Sequence, residues 1–145
     1  MGAIGLPRVV VTPLARIATA GGDVLHALKN TDDGYSNFGE AYFSWVTLDS
    51  IKAWKRHLRM TMNLVVPVGR VKFVFYAEVD GAKQLLNEET IGVEHYARIT
   101  VPPGVWFGFK GLSAPQSLVL NLASIPHDPS EVERLPLDAL PYDWK

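Results

Sequence analysis

The chain has 145 residues, 48% of them hydrophobic and 20% charged, with a formal net charge of -1. That length suits one globular domain, here residues 1–145, and a near-neutral balance leaves no broad basic surface for nucleic acid or an anionic membrane. Cysteine is absent, which excludes disulfides, thiolate metal centres and cysteine nucleophiles.

The start, Met1-Gly2-Ala3-Ile4-Gly5-Leu6-Pro7, lacks a basic stretch followed by a long apolar core, so no signal peptide is expected. No apolar run approaches the roughly 20 residues of a membrane helix, and a cytoplasmic chain is the default expectation. Arg8 to Thr12 reads as a strand closed by Pro13, Ala15 to Thr19 as a second strand, and Gly21-Gly22 as a turn. Asp23 to Lys29 fits a short helix capped by Asp23 or a strand. Lys29 to Gly34 is a polar loop.

Glu40 to Leu48 alternates as a strand, with Glu40, Tyr42 and Ser44 on one face and Ala41, Phe43 and Trp45 on the other. Leu48-Asp49-Ser50 turns the chain into a basic segment, read as one extended stretch up to the break at Pro67-Val68-Gly69. Val71 to Tyr76 is a further strand. Gly81 to Glu89 reads as a loop holding a helical turn. Tyr96 to Val101 is a strand turned by Pro102-Pro103-Gly104. Val105 to Phe109 continues extended, and Ser117 to Ala123 is a strand. From Ser124 a tail rich in proline and acids is expected to wrap the body. Many short strands at about ten-residue spacing, with little helix, predict an antiparallel sandwich or barrel.

Within the basic segment, Lys55, His57, Arg59, Thr61 and Asn63 are polar while positions 54, 58, 60, 62, 64 and 66 are apolar. An extended chain would set those five polar groups on one side. On a cavity wall, His57 would be a proton carrier, kept neutral by its cationic neighbours. Lys52, Lys55, Arg56 and Arg59 would clamp a diphosphate, with Glu40, Tyr42 and Ser44 opposite. A lone histidine among charges is more often a surface residue, and a basic cluster more often a solvated face. Tyr42, Tyr76 and Tyr96 are candidate phenol acids. Trp54, Trp106 and Phe109 are candidates for stacking on a base or sugar, although such residues are usually core. The four histidines, at 26, 57, 95 and 127, are scattered without metal-ligand spacing, and no phosphate loop or nucleophile elbow is present.

The segments G-G-D-V-L-H-A-L-K (21–29), F-G-E-A-Y-F-S (38–44), I-K-A-W-K-R-H-L-R-M-T (51–61), N-L-V-V-P-V-G (63–69), R-I-T-V-P-P-G-V-W-F-G-F (98–109), I-P-H-D-P-S-E (125–131) and P-Y-D-W (141–144) together resemble the dTDP-4-dehydrorhamnose 3,5-epimerase family. The closer likeness is to a divergent branch found among polysaccharide-biosynthesis proteins. The resemblance implies an all-β, cupin-type jelly roll, an antiparallel β-sandwich barrel with little helix. It further implies a homodimer, no metal or organic cofactor, and a dTDP-linked 4-keto-6-deoxyhexose as substrate. A base would remove the protons beside the C4 ketone, a cation would stabilise the enolate, and an acid would reprotonate from the opposite face.

Carried over by position, the family's phosphate-binding arginine becomes Lys52 and its catalytic histidine becomes Lys55, with His57 two residues on. The family's lysine falls near Met62 or Asn63, and the histidine of Pro-Gly-x-x-His-Gly-Phe becomes Phe107. An acidic partner for the base is matched to Asp138. The expected catalytic set is therefore His57, Lys55 and Asp138. The expected substrate contacts are Lys52, Arg56, Arg59, Thr61, Asn63, Glu40, Tyr42 and Trp106. The readings are a nucleotide-sugar epimerase, a 3,4-ketoisomerase, a non-catalytic nucleotide-sugar or carbohydrate binder, and a structural dimer without ligand.

Overall fold

A computed structural model of the chain describes residues 5–145; part of the start read above, Met1 to Ile4, lies outside them. Its strands, in chain order, are β1 (Val10–Pro13), β2 (Arg16–Ile17), β3 (Val24–Leu25), β4 (Glu40–Thr47), β5 (Ile51–His57), β6 (Met62–Val68), β7 (Arg70–Val79), β8 (Ala82–Gly92), β9 (Ala97–Val101), β10 (Trp106–Gly111), β11 (Gln116–Ala123) and β12 (Val132–Arg134). The only helical pieces among the described residues are two 3-10 turns, Pro129–Glu131 and Leu137–Ala139. None is long and apolar enough to cross a membrane.

One antiparallel sheet has the order β1-β9-β6-β11-β4, and the other β12-β5-β10-β7-β8. They face each other as an open sandwich and do not close into a barrel. From β4 onward every connection crosses between the sheets except the β7–β8 hairpin. This alternation is the jelly-roll path, and it fills the space between the sheets from both sides. Met62, Leu64 and Val66 of β6 meet Val71, Phe73 and Phe75 of β7 there. A second apolar cluster forms on the outer face of the second sheet, where the tail lays Leu140 and Trp144 over Trp54, Val74, Tyr76 and Trp106. Gly108 permits that closeness, since a Cβ there would lie 2.6 Å from the Ala53 Cβ.

Of the two readings open for Asp23 to Lys29 the structure has the strand, the short β3, and no helix. Two expectations change. Residues 82–92 form a full strand where a loop with a helical turn was expected. Asp80 (φ 52) and Gly81 (φ 79) make a two-residue hairpin turn, and Val79 pairs with Ala82, so the side chains of β8 are carried by the β7 ladder whatever their own propensity. The second change concerns the site: the basic segment is two strands in different sheets. β5 ends at His57, and β6 begins at Met62 in the facing sheet.

Candidate functional site

The corner between β5 and β6 is built around one carboxylate. Glu131, 2% exposed, accepts hydrogen bonds at Oε1 from the backbone N–H groups of Arg59 and Met60, each at 3.0 Å. Its Oε2 lies 2.5 Å from His57 Nδ1. The same side chain therefore caps the crossing and orients the last residue of β5. It arrives on the turn Pro129–Glu131, which Asp128 caps through the Ser130 N–H.

The crossing splits the polar stripe. Lys55 and His57 point between the sheets, against Phe107: the imidazole stacks at 6.1 Å between centroids, and Lys55 Nζ sits 5.8 Å from the ring centre. Arg59 lies outside and pairs with Asp128 at 2.8 Å. Thr61 is held by its backbone to Ser124. Asn63 faces outward, where it accepts from buried Arg98 and from Thr100 and donates to Gly34 O. That cluster staples the loop around Asp32 to the sheet.

Lys52 reaches the same side as Lys55, three residues apart, because β5 bulges opposite Phe107 and Gly108. Lys55 pairs with Phe107 and Ala53 with Gly108, leaving Trp54 as the extra residue. Arg56 and Trp106 fall on the opposite face. The guanidinium lies over the indole at 4.6 Å and pairs with Glu133 and Glu78, and the indole N–H donates to Glu78. Both expected substrate contacts are thus turned away from the interior. Asp138 is exposed on the tail turn over that outer face, so the carboxylate on His57 is Glu131 instead. In the sequence Glu131 stands within I-P-H-D-P-S-E with no local signal of a role. Only the fold brings it, 74 residues away, to the imidazole.

A cavity of about 400 Å³ opens between the sheets. Met62, Leu64, Phe107, Phe109 and Val119 form its apolar floor, and Tyr42, Ser44, Lys52, Lys55, Asn121 and Arg134 supply its polar wall. Its size is within the range of small-ligand sites. Glu40 lies at the start of β4 and accepts from the His127 N–H at 2.9 Å. Lys52 Nζ donates to Trp45 O at 2.7 Å. Among these groups Ser44, Lys55 and Arg134 have neither an ion pair within 4.0 Å nor a side-chain hydrogen bond to the described residues.

The electrostatics separate the roles. Burial holds the His57 pKa below 6.5; the Glu131 bond and charge oppose this in part, and Lys55 and His127 add to it. Burial alone would raise the Glu131 carboxyl, but the bonds from His57, Arg59 and Met60 outweigh it and keep the group below 4.5. The pair is therefore neutral imidazole and carboxylate. Nδ1–H donates to Glu131, and the buried Nε2 carries a lone pair with no partner among the described residues. Burial, with Arg134 and Lys52 nearby, lowers the Lys55 pKa against the pull of Glu131. Burial raises the Tyr42 phenol, which a bond from Asn121 partly offsets, while the charges of Glu40 and Glu131 push it further up.

A desolvated cation, Lys55, and a protonated phenol, Tyr42, line the cavity, and an oriented imidazole, His57, stacks on the cavity-lining Phe107 without itself lining it; these residue types suit removing and returning a proton beside a carbonyl. A scan against protein-family models finds no match. The chain is 30% identical over 132 residues to a probable low-salt glycan biosynthesis epimerase, Agl13, of Haloferax volcanii, covering 85% of this chain and 84% of that protein. It is 39% identical to the crystal structure of a dTDP sugar isomerase from Desulfovibrio desulfuricans G20, with a TM-score of 0.88 over 98% of this chain and 95% of that one. A dTDP-4-dehydrorhamnose 3,5-epimerase from Sulfolobus tokodaii shares the fold at 14% identity and TM-score 0.80, over 92% and 80% of the two chains. With this sequence identity along most of its length, the chain belongs to the dTDP-4-dehydrorhamnose 3,5-epimerase-like family of sugar epimerases and isomerases.

Proposed function

We propose that this enzyme epimerises a dTDP-linked 4-keto-6-deoxyhexose at a carbon beside the ketone. The observation that carries the reading is the buried His57–Glu131 pair, whose imidazole packs against Phe107 together with the desolvated Lys55 ammonium. His57 Nε2 takes the proton from C3 or C5, and the electron pair moves onto the C4 oxygen. Lys55 stabilises that oxyanion. Tyr42 O–H returns a proton to the same carbon from the other face, leaving imidazolium and phenolate to re-equilibrate through solvent. Phe107, which lines the cavity, stacks on the imidazole. Lys52 and Arg134, the exposed cations of the lining, take the diphosphate. Arg59, Thr61 and Asn63 have no direct part: Arg59 pairs with Asp128, Asn63 is held by Arg98, Thr100 and Gly34, and the Thr61 backbone is held to Ser124. The cytoplasm, where nucleotide-sugar precursors are made, is the compartment this substrate implies.

Incubation with dTDP-4-keto-6-deoxyglucose in deuterated water, followed by proton NMR, tests this. Loss of the C3 or C5 signal is expected. Binding without exchange would reduce the protein to a carbohydrate-binding cupin, and migration of the ketone would make it a 3,4-ketoisomerase.

The same reading includes a homodimer. Alternation along β4 turns Phe43 (62% exposed) and Trp45 (51%) outward, opposite Leu120 and Leu118 of β11, with Val68 beside them. This apolar surface continues to the unpaired edge of β4, a combination that favours self-association. Sedimentation equilibrium is expected to return twice the chain mass; a monomer at micromolar concentration removes the dimer.

A further inference from the structure

One buried acceptor on the cavity wall has no partner among the described residues. Asn121 pairs directly with Tyr42 across the β11–β4 ladder and is 3% exposed. Its Nδ2 donates to Tyr42 Oη at 2.9 Å and lies 3.7 Å from Met60 Sδ. A thioether has no proton to give, so the amide nitrogen belongs on that side and the oxygen on the other. Asn121 Oδ1 is then buried with no partner, a rare condition in folded proteins, and its side chain lines the cavity.

This arrangement has two chemical consequences. The Tyr42 oxygen already accepts from Asn121, so its own O–H is left to donate elsewhere. Oδ1 lacks a donor, and an apolar or purely anionic ligand group would leave it unsatisfied. A hydroxyl meets the need. We propose that Asn121 is the specificity-determining and positioning residue of this cavity: Oδ1 accepts a hydrogen bond from a ring hydroxyl of the bound hexose, while Nδ2 holds Tyr42 in the orientation of a proton donor. The inference rests on the nucleotide-sugar reading and adds to it which group selects the sugar.

Its test uses dTDP-4-keto-6-deoxyglucose and the 2-deoxy and 3-deoxy analogues, with binding measured by calorimetry for the intact protein, Asn121→Leu and Asn121→Asp. The intact protein is expected to bind one analogue about ten-fold or more weaker than the parent sugar. Asn121→Leu abolishes that difference. Asn121→Asp keeps it, because a carboxylate still accepts, yet loses kcat by about ten-fold or more with KM little changed, because it no longer donates to Tyr42. Ultraviolet titration of Tyr42, read against Tyr42→Phe, needs no ligand; the phenol is expected to titrate at higher pH in both Asn121 variants. Equal affinity for all three sugars, or discrimination surviving in the leucine variant, overturns the hydroxyl contact. An unchanged Tyr42 titration overturns the positioning role. Should the leucine variant not fold, the aspartate variant and the titration still decide. Failure of the intact protein to bind the parent sugar overturns the nucleotide-sugar reading itself, and this inference with it.

Discussion

Replacing His57 by asparagine is expected to lower kcat by about 10² to 10⁴-fold, the usual contribution of a placed general base, while leaving the affinity for the nucleotide sugar within a few-fold. Asparagine retains a donor for Glu131 and approximate volume, so the corner at residues 58–61 survives and the loss is one of proton transfer. Deuterium exchange at C3 and C5 should fall with kcat. The pH profile adds a second check. Activity requires neutral imidazole, and burial holds the His57 pKa below 6.5. The acid limb of kcat/KM for the intact protein therefore falls below 6.5, activity being present above that value and lost as pH drops through the depressed pKa. An exchange rate unchanged in His57→Asn would move the base elsewhere, and Lys55 on the cavity wall is then the group to replace.

β4 and β11 were legible because each buries mainly one face, so a period of two survives in Glu40 to Thr47 and Gln116 to Ala123, whereas β6, β7 and β9 are buried on both faces and read as apolar runs. The site was legible only where it follows that period. Lys55 and His57 share a face because they are two apart on one strand. Lys52 joins them through a bulge that no alternation shows, and Arg59 and Asn63 leave them because the chain changes sheets after His57. Trp106 looked available for stacking but is covered by a tail whose docking depends on distant residues such as Trp144. The hairpin at Asp80-Gly81 was readable from its turn chemistry; the charged, helix-favouring residues after it obscured the strand. Asn121 sits in an apolar strand as a lone amide, and its role emerges only from the partners that face it.

The largest combined effect is expected at Glu131, because one carboxylate serves the fold and the base together. In Glu131→Ala the N–H groups of Arg59 and Met60 and the Nδ1–H of His57 all lose their acceptor. A buried donor left unmade costs about 1–3 kcal/mol, so the variant should lose roughly 3 kcal/mol or more in urea unfolding. Glu131→Gln separates the two duties. Its amide oxygen still accepts from the two backbone N–H groups, but its NH₂ faces Nδ1 and turns it into an acceptor. The imidazole proton then moves to Nε2, which becomes a donor and ceases to be a base. A comparable change of tautomer in a serine-protease triad costs about 10⁴ in kcat, and a loss on that order is expected here with most of the fold retained. The pH dependence of stability follows the carboxylate. Its folded pKa lies below 4.5, so the advantage of the intact protein over Glu131→Gln is complete above pH 4.5 and fades as pH falls through the depressed value. A glutamine variant of full activity would mean that Glu131 only braces the corner between the sheets, and that another group sets the state of His57.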